Sequence, residues 1–135
     1  MARWLMKSEP VKYAFADLVR DGRTNWDGVR NNQAALYLKA MQVGDEFLFY
    51  HSNEGLAVVG IAKVAKQAFI DPTDPAGRYV AVEVAPVREL KNPVTLAQMK
   101  AEPRLAGMAM FRQFRLSVAP VTDVEWDVVM ELAGE

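Results

Sequence analysis

Glu46-Phe47-Leu48-Phe49-Tyr50-His51-Ser52-Asn53 runs from a continuous apolar block into a polar tail. Val43-Gly44-Asp45 before it is a turn signal, so Glu46–Tyr50 reads as a buried strand. The tail holds the only histidine of the chain. Working outward, Leu56–Ala65 and Tyr79–Ala85 read as two further strands, with Val80, Val82 and Val84 alternating against Ala81 and Glu83. Arg3–Lys7 reads as a strand stopped by Pro10, placing Trp4 and Met6 on one face and Leu5 and Lys7 on the other. Arg112–Ala119 also alternates, with Phe114, Leu116 and Val118 facing one way.

Helical spacing appears between these runs. Phe15–Arg20 suits a short helix, and Asn31–Met41 suits another because Ala34, Leu38 and Met41 share a face. Thr95–Lys100 is helical and ends before Pro103. Thr122-Asp123-Val124-Glu125 has capping-box spacing and opens a last helix that buries Trp126, Val129 and Met130. Strands with short interspersed helices predict a mixed α+β domain whose sheet curls into a barrel.

At 135 residues the length suits one domain, residues 1–135, without repeat or linker. Lys plus Arg (16) nearly cancels Asp plus Glu (17), so the chain lacks the basic excess of a sequence-blind nucleic-acid binder. Any such affinity has to come from a local site. There is no cysteine and one histidine, which leaves no thiolate or multi-histidine metal cluster, and no cofactor is expected. Three apolar residues precede Lys7 at the amino terminus, too few for a secretory core or a membrane span. A cytoplasmic monomer without membrane contact is the expectation.

Two stretches hold the candidate chemistry. Trp26-Asp27-Gly28-Val29-Arg30-Asn31-Asn32-Gln33 puts an indole beside a carboxylate, a guanidinium and three amides in an expected loop. Such groups can stack on a planar ligand and read its edge, as nucleobase recognition requires. Trp4 and Trp126, at apolar spacing, read as core; Trp26 reads as a stacking surface. Asp27-Gly28 alone is a turn signal. Lys7-Ser8-Glu9-Pro10 offers a hydroxyl and a carboxylate that accept protons from an amine, or simply ends a strand. His51 is either a site group or a structural histidine bonded to backbone. Arg115 and Ser117 matter only if their face closes on the same pocket.

Enzymatic patterns are poor. His51 and Ser52 are strand neighbours pointing to opposite faces, so they form no Ser–His relay. No P-loop or Gly-x-Gly-x-x-Gly occurs, and zinc deaminase chemistry lacks its cysteines. Acid–base hydrolysis by Glu9, Lys7 and His51 is permitted by residue type alone.

Six segments, in order, resemble the signature of the EVE domain: Trp4-Leu5-Met6-Lys7-Ser8-Glu9-Pro10, Trp26-Asp27-Gly28-Val29-Arg30-Asn31, Val43-Gly44-Asp45, Phe49-Tyr50-His51-Ser52-Asn53, Gly60-Ile61-Ala62 and Arg115-Leu116-Ser117-Val118. The resemblance implies an α+β, PUA-like pseudo-barrel of mixed strands flanked by short helices, related to YTH domains. It also implies a non-catalytic reader of modified bases in DNA or RNA. By that resemblance Trp26 is the stacking wall, Ser8 and Glu9 the floor with Lys7 near the backbone, and Asn31 with the Asp27 main chain the edge contact. Tyr50 and His51 form a second wall, Arg115 and Ser117 close the site, and Arg30 is a local basic group. Arg78-Tyr79-Val80 departs from relatives that carry a tryptophan there. Two rivals remain, a small ASCH-type hydrolase of modified nucleosides and a protein-interaction module.

Overall fold

The computed structural model describes all residues, Met1–Glu135. Its centre is β3 (Glu46–His51), which pairs parallel with β1 (Arg3–Ser8) and antiparallel with β4 (Ala57–Ile70). A strand hydrogen-bonded on both sides, with covering layers on both faces, has no polar positions to give. Phe47, Leu48, Phe49 and Tyr50 are accordingly all buried. β5 (Val80–Thr95) pairs with β4, β2 (Thr24–Trp26) with β5, and β6 (Val118–Val121) with β1, giving the order β2-β5-β4-β3-β1-β6.

The parallel β1–β3 pair needs a long crossover. It is supplied by α1 (Phe15–Asp21), β2 and α2 (Asn32–Ala40). Helix α2 packs on β5 and on β6, towards opposite ends of the strand order, and so bridges the gap in the curled sheet. One core lies inside this curl: Trp4, Met6, Phe47, Phe49, Val64 and Val82 meet Phe15, Leu18, Ala34 and Leu38 there. The other core holds Leu5, Leu48, Tyr50, Ile61 and Val94. It is covered by α3 (Leu96–Ala101), a 3-10 turn (Pro103–Leu105), α4 (Ala109–Arg112) and α5 (Asp123–Leu132). The split of Trp4 and Met6 from Leu5 follows the expected alternation.

Thr122 caps α5 with a reciprocal capping box, as its spacing predicts, and Thr95 caps α3 in the same way. In α5, Trp126 and Val129 are buried while Met130 is half-buried. Strands β4 and β5 run well past the expected Leu56–Ala65 and Tyr79–Ala85. Their pairing shifts register at four points, each bending the ribbon and breaking the two-residue period. Pro86 and Pro93 within β5 hide its continuation further, since proline normally argues against a strand interior.

Two expectations are corrected. Arg112–Ala119 is not one strand. Gln113 N–H donates to the Ala109 carbonyl and Leu116 N–H to the Gln113 carbonyl, so the backbone turns there and pairing begins at Val118. Phe114 is thereby thrown outward, 49% exposed, instead of joining Leu116 and Val118 in the core. Trp26 lies not in a loop but at the end of β2, opposite Val82, and is only 8% exposed.

Gly60 marks a close approach. A Cβ there would sit 2.5 Å from the Phe15 ring, so the bare backbone of β4 is what lets α1 lie against the sheet.

Candidate functional site

The parallel register brings Lys7 level with Tyr50 and Ser8 level with His51. The ends of β1 and β3 thus open together, and a cleft of about 840 Å³ forms beside them. This falls within the range of small-molecule sites. Lys7 and Ser8 come from β1 and Glu9 directly follows it, Trp26 ends β2 and Asp27 directly follows it, and Tyr50 comes from β3. Arg115 and Ser117 come from the segment before β6. These eight sequence-selected residues share one cavity. The segment is held by the Lys7 N–H donating to the Ser117 carbonyl at 2.9 Å, and the β3 exit by the Ser52 N–H donating to Ser8 O at 3.0 Å.

Trp26 packs edge-on against Phe47 and Phe49, at centroid distances of 5.6 and 5.5 Å. It is both a core residue and a cleft wall. Lys7 is half-buried, its Nζ donating to the Phe114 carbonyl at 2.6 Å, and burial pushes its pKa down. Ser8 Oγ donates to the Tyr13 carbonyl at 2.6 Å and keeps lone pairs for a ligand. The Glu9 carboxylate accepts from Asn53 Nδ2 at 2.7 Å and pairs with Lys12 at 3.1 Å. Asp27 is exposed at the mouth; partial burial of its carboxyl, then the negative charge of Asp71, pushes its pKa up. Tyr50 Oη is buried without a hydrogen-bond partner, a cost of about 1–3 kcal/mol that core residues rarely carry.

Three selected residues lie outside this lining, each occupied by structural work. His51 Nε2 accepts the Phe15 N–H at 3.1 Å at the start of α1, and burial pushes the imidazole pKa down. Asn31 is the N-cap of α2, its Oδ1 accepting from Ala34 N–H at 3.0 Å. Arg30 donates to Asp71 at 2.9 Å. Asp71 is fully buried and also accepts the Gly28 N–H at 2.8 Å and both the N–H and hydroxyl of Thr73 at 2.7 Å. Burial opposes its ionisation, but the bonds from Thr73, Arg30 and Gly28 outweigh that and hold its carboxyl well below the usual range. These contacts pin the arch that follows Trp26. Gly28 turns the arch at φ +75°, a backbone state that glycine adopts without strain. Tyr79, at the position of the absent tryptophan, lies outside the cleft with the Arg30 guanidinium 5.1 Å from its ring centre.

The sequence reading missed Asn25, Tyr13 and Phe114, which also line the cleft. Asn25 and Tyr13 carry no signal. Phe114 had one: an aromatic between Arg112 and Arg115, a pairing common on single-strand-binding surfaces.

A curled mixed sheet closed by a helix, with a polar and aromatic cleft at the ends of its parallel strand pair, defines a PUA-like α+β binding domain. The EVE domain model matches residues 2–132, and the chain belongs to the EVE domain family. It is similar to Rpa0253 from Rhodopseudomonas palustris, with 48% identity and a TM-score of 0.94 over 99% of this chain and 94% of that one. Thymocyte nuclear protein 1 of Homo sapiens is 35% identical over 97% of this chain and 73% of that protein. Human THYN1, solved in complex with 5-methylcytosine containing DNA, shares 33% identity and a TM-score of 0.92, covering 100% of this chain and 99% of that one. The MmI1 YTH domain shares the fold alone, at 10% identity and a TM-score of 0.64. No helix is long and apolar enough to cross a membrane.

Proposed function

We propose that the chain is one EVE unit that binds a single modified base of nucleic acid, 5-methylcytosine in DNA foremost, without chemically altering it. The observation that carries this reading is a relative alignable over the whole chain in complex with DNA containing that base. The cleft supplies matching chemistry. The rings of Trp26 and Tyr50 border it, while Ser8, Glu9 and Asp27 offer acceptors for an exocyclic amine such as cytosine N4. Lys7 offers a donor for a ring carbonyl. The base has to leave its stack to enter such a cleft, which favours sites where unpairing costs little. A nucleic-acid target suits work inside the cell, the cytoplasm included.

The test is titration of the purified protein with short oligonucleotides carrying one modified cytosine or adenine. Selective binding of the 5-methylcytosine strand, with the oligonucleotide recovered unchanged by mass, is the expected outcome. With a net charge of −1, unmodified duplex should bind no tighter than about 10⁻⁴–10⁻⁶ M at physiological salt. Equal affinity for modified and unmodified strands overturns the reading. Release of an altered base replaces it with hydrolysis, for which Lys7 and Glu9 are the candidates.

A further inference from the structure

Phe114 sits at the rim of the cleft with about half its surface exposed, where an aromatic ring loses hydrophobic stabilisation. Its position is nonetheless fixed. The Phe114 carbonyl accepts from Lys7 Nζ, and buried Leu116 anchors the chain two residues on. The ammonium groups of Lys7 and Lys100 lie 4.4 and 5.7 Å from the ring centre, within cation–π range.

The cations next to the ring have no carboxylate partner. Arg3, Lys12, Arg20, Arg23, Arg30, Arg88 and Arg104 pair with carboxylates; Lys7, Lys100, Arg112 and Arg115 do not, nor do Lys39, Lys63, Lys66, Arg78 and Lys91 elsewhere. Two of the unpaired cations, Lys7 and Lys100, thus lie over one exposed aromatic ring beside the cleft, and Arg112 and Arg115 flank that ring in sequence. Aromatic rings among free cations suit a polyanion that carries planar groups, since bases stack while phosphates are neutralised.

We infer that Phe114 stacks on the base adjoining the one held in the cleft, with Lys100, Arg112 and Arg115 meeting the flanking phosphates. This rests on the base-binding reading above and adds a second contact to it. A neighbour that has lost its stacking partner to the cleft leaves an open face, and Phe114 covers it. The reader would then sense a nucleotide within a strand and not an isolated base.

The experiment is a double cycle. Parent and Phe114→Ala protein are titrated with a single-stranded oligonucleotide bearing one 5-methylcytosine. The same strand is then used with abasic sites on both sides of the modified base. Phe114→Ala should weaken binding to the first strand by roughly 5- to 150-fold and cause no further loss on the second. Phe114→Trp should bind the first strand at least as well as the parent. Because the ring is exposed, unchanged thermal unfolding of both variants is the control. Equal binding of the first strand by parent and Phe114→Ala overturns the inference, as does an equal loss on both strands, which would make Phe114 a contact of the modified base itself. A parent indifferent to the modification on both strands overturns the underlying reading as well, so the two failures are distinct.

Discussion

The Phe15 N–H donates to His51 Nε2 at 3.1 Å, joining the first turn of α1 to the end of β3 across 36 residues. The bond requires an unprotonated Nε2, hence the Nδ1–H tautomer. Burial lowers the folded pKa of His51 below its ordinary 6.5. The contribution is therefore complete above about pH 6.5 and declines as pH falls, until the folded imidazole itself takes a proton. Thermal unfolding at pH 7.5 and pH 5, compared between parent and His51→Gln, checks this. The parent should lose more stability on acidification than the variant, and identical losses would refute it.

Gly60 and Phe15 make the second prediction. Gly60→Ala puts a methyl group within 2.5–2.7 Å of three ring atoms of Phe15, which itself packs edge-on against Phe49. Overpacking of this kind costs about 1–3 kcal/mol. Phe15→Leu, damaging alone, should restore part of that loss when combined with Gly60→Ala. Chemical denaturation of the two singles and the double measures the coupling; strictly additive losses would mean that the ring and the methyl never meet.

Asp71 governs the arch after Trp26. Its bonds to Gly28 and Arg30 hold two points of that loop, and Arg30 is 40% exposed, so water screens part of the pair. Asp71→Asn should cost about 1–3 kcal/mol, chiefly from buried donors left without an anionic acceptor. The depressed carboxyl pKa keeps this contribution present throughout the neutral range, and it is lost only as pH falls through the folded value. Urea midpoints at pH 7 report the stability. The variant should also bind the modified oligonucleotide more weakly, because Asp27 loses its support.

Trp26 cannot be tested by alanine alone. It is a core residue at 8% exposure, so Trp26→Ala should cost about 3–5 kcal/mol of stability whatever it does for ligands. Trp26→Leu retains apolar bulk while removing the π-surface. It should weaken oligonucleotide binding by about 1–3 kcal/mol, and Trp26→Phe by less. Glu9→Gln should instead lower the preference for modified cytosine while retaining most affinity, since edge contacts carry identity. Calorimetric titration of each folded variant separates the two effects. Undiminished binding by Trp26→Leu would leave Trp26 a purely structural residue.

What the sequence determined by itself was local. The apolar block Phe47–Tyr50, the alternation in Trp4–Lys7 and the capping box at Thr122 are decided within a few residues, and each forms as its spacing requires. The ordered motifs likewise mark the EVE family, and eight of the selected residues share one cleft. Tertiary structure decided everything that depends on a distant partner. His51 was ambiguous until Phe15 supplied its donor, Arg30 until Asp71 supplied a buried charge, and Asn31 until α2 claimed its side chain. Trp26 became core because β2 pairs with β5, a contact between residues 56 apart that no local pattern records. Phe114 left the core because the chain turns at Gln113 before it reaches β1, even though Phe114, Leu116 and Val118 alternate perfectly. Alternation reports which faces a strand would have; only the backbone's hydrogen-bond partners decide whether a strand exists.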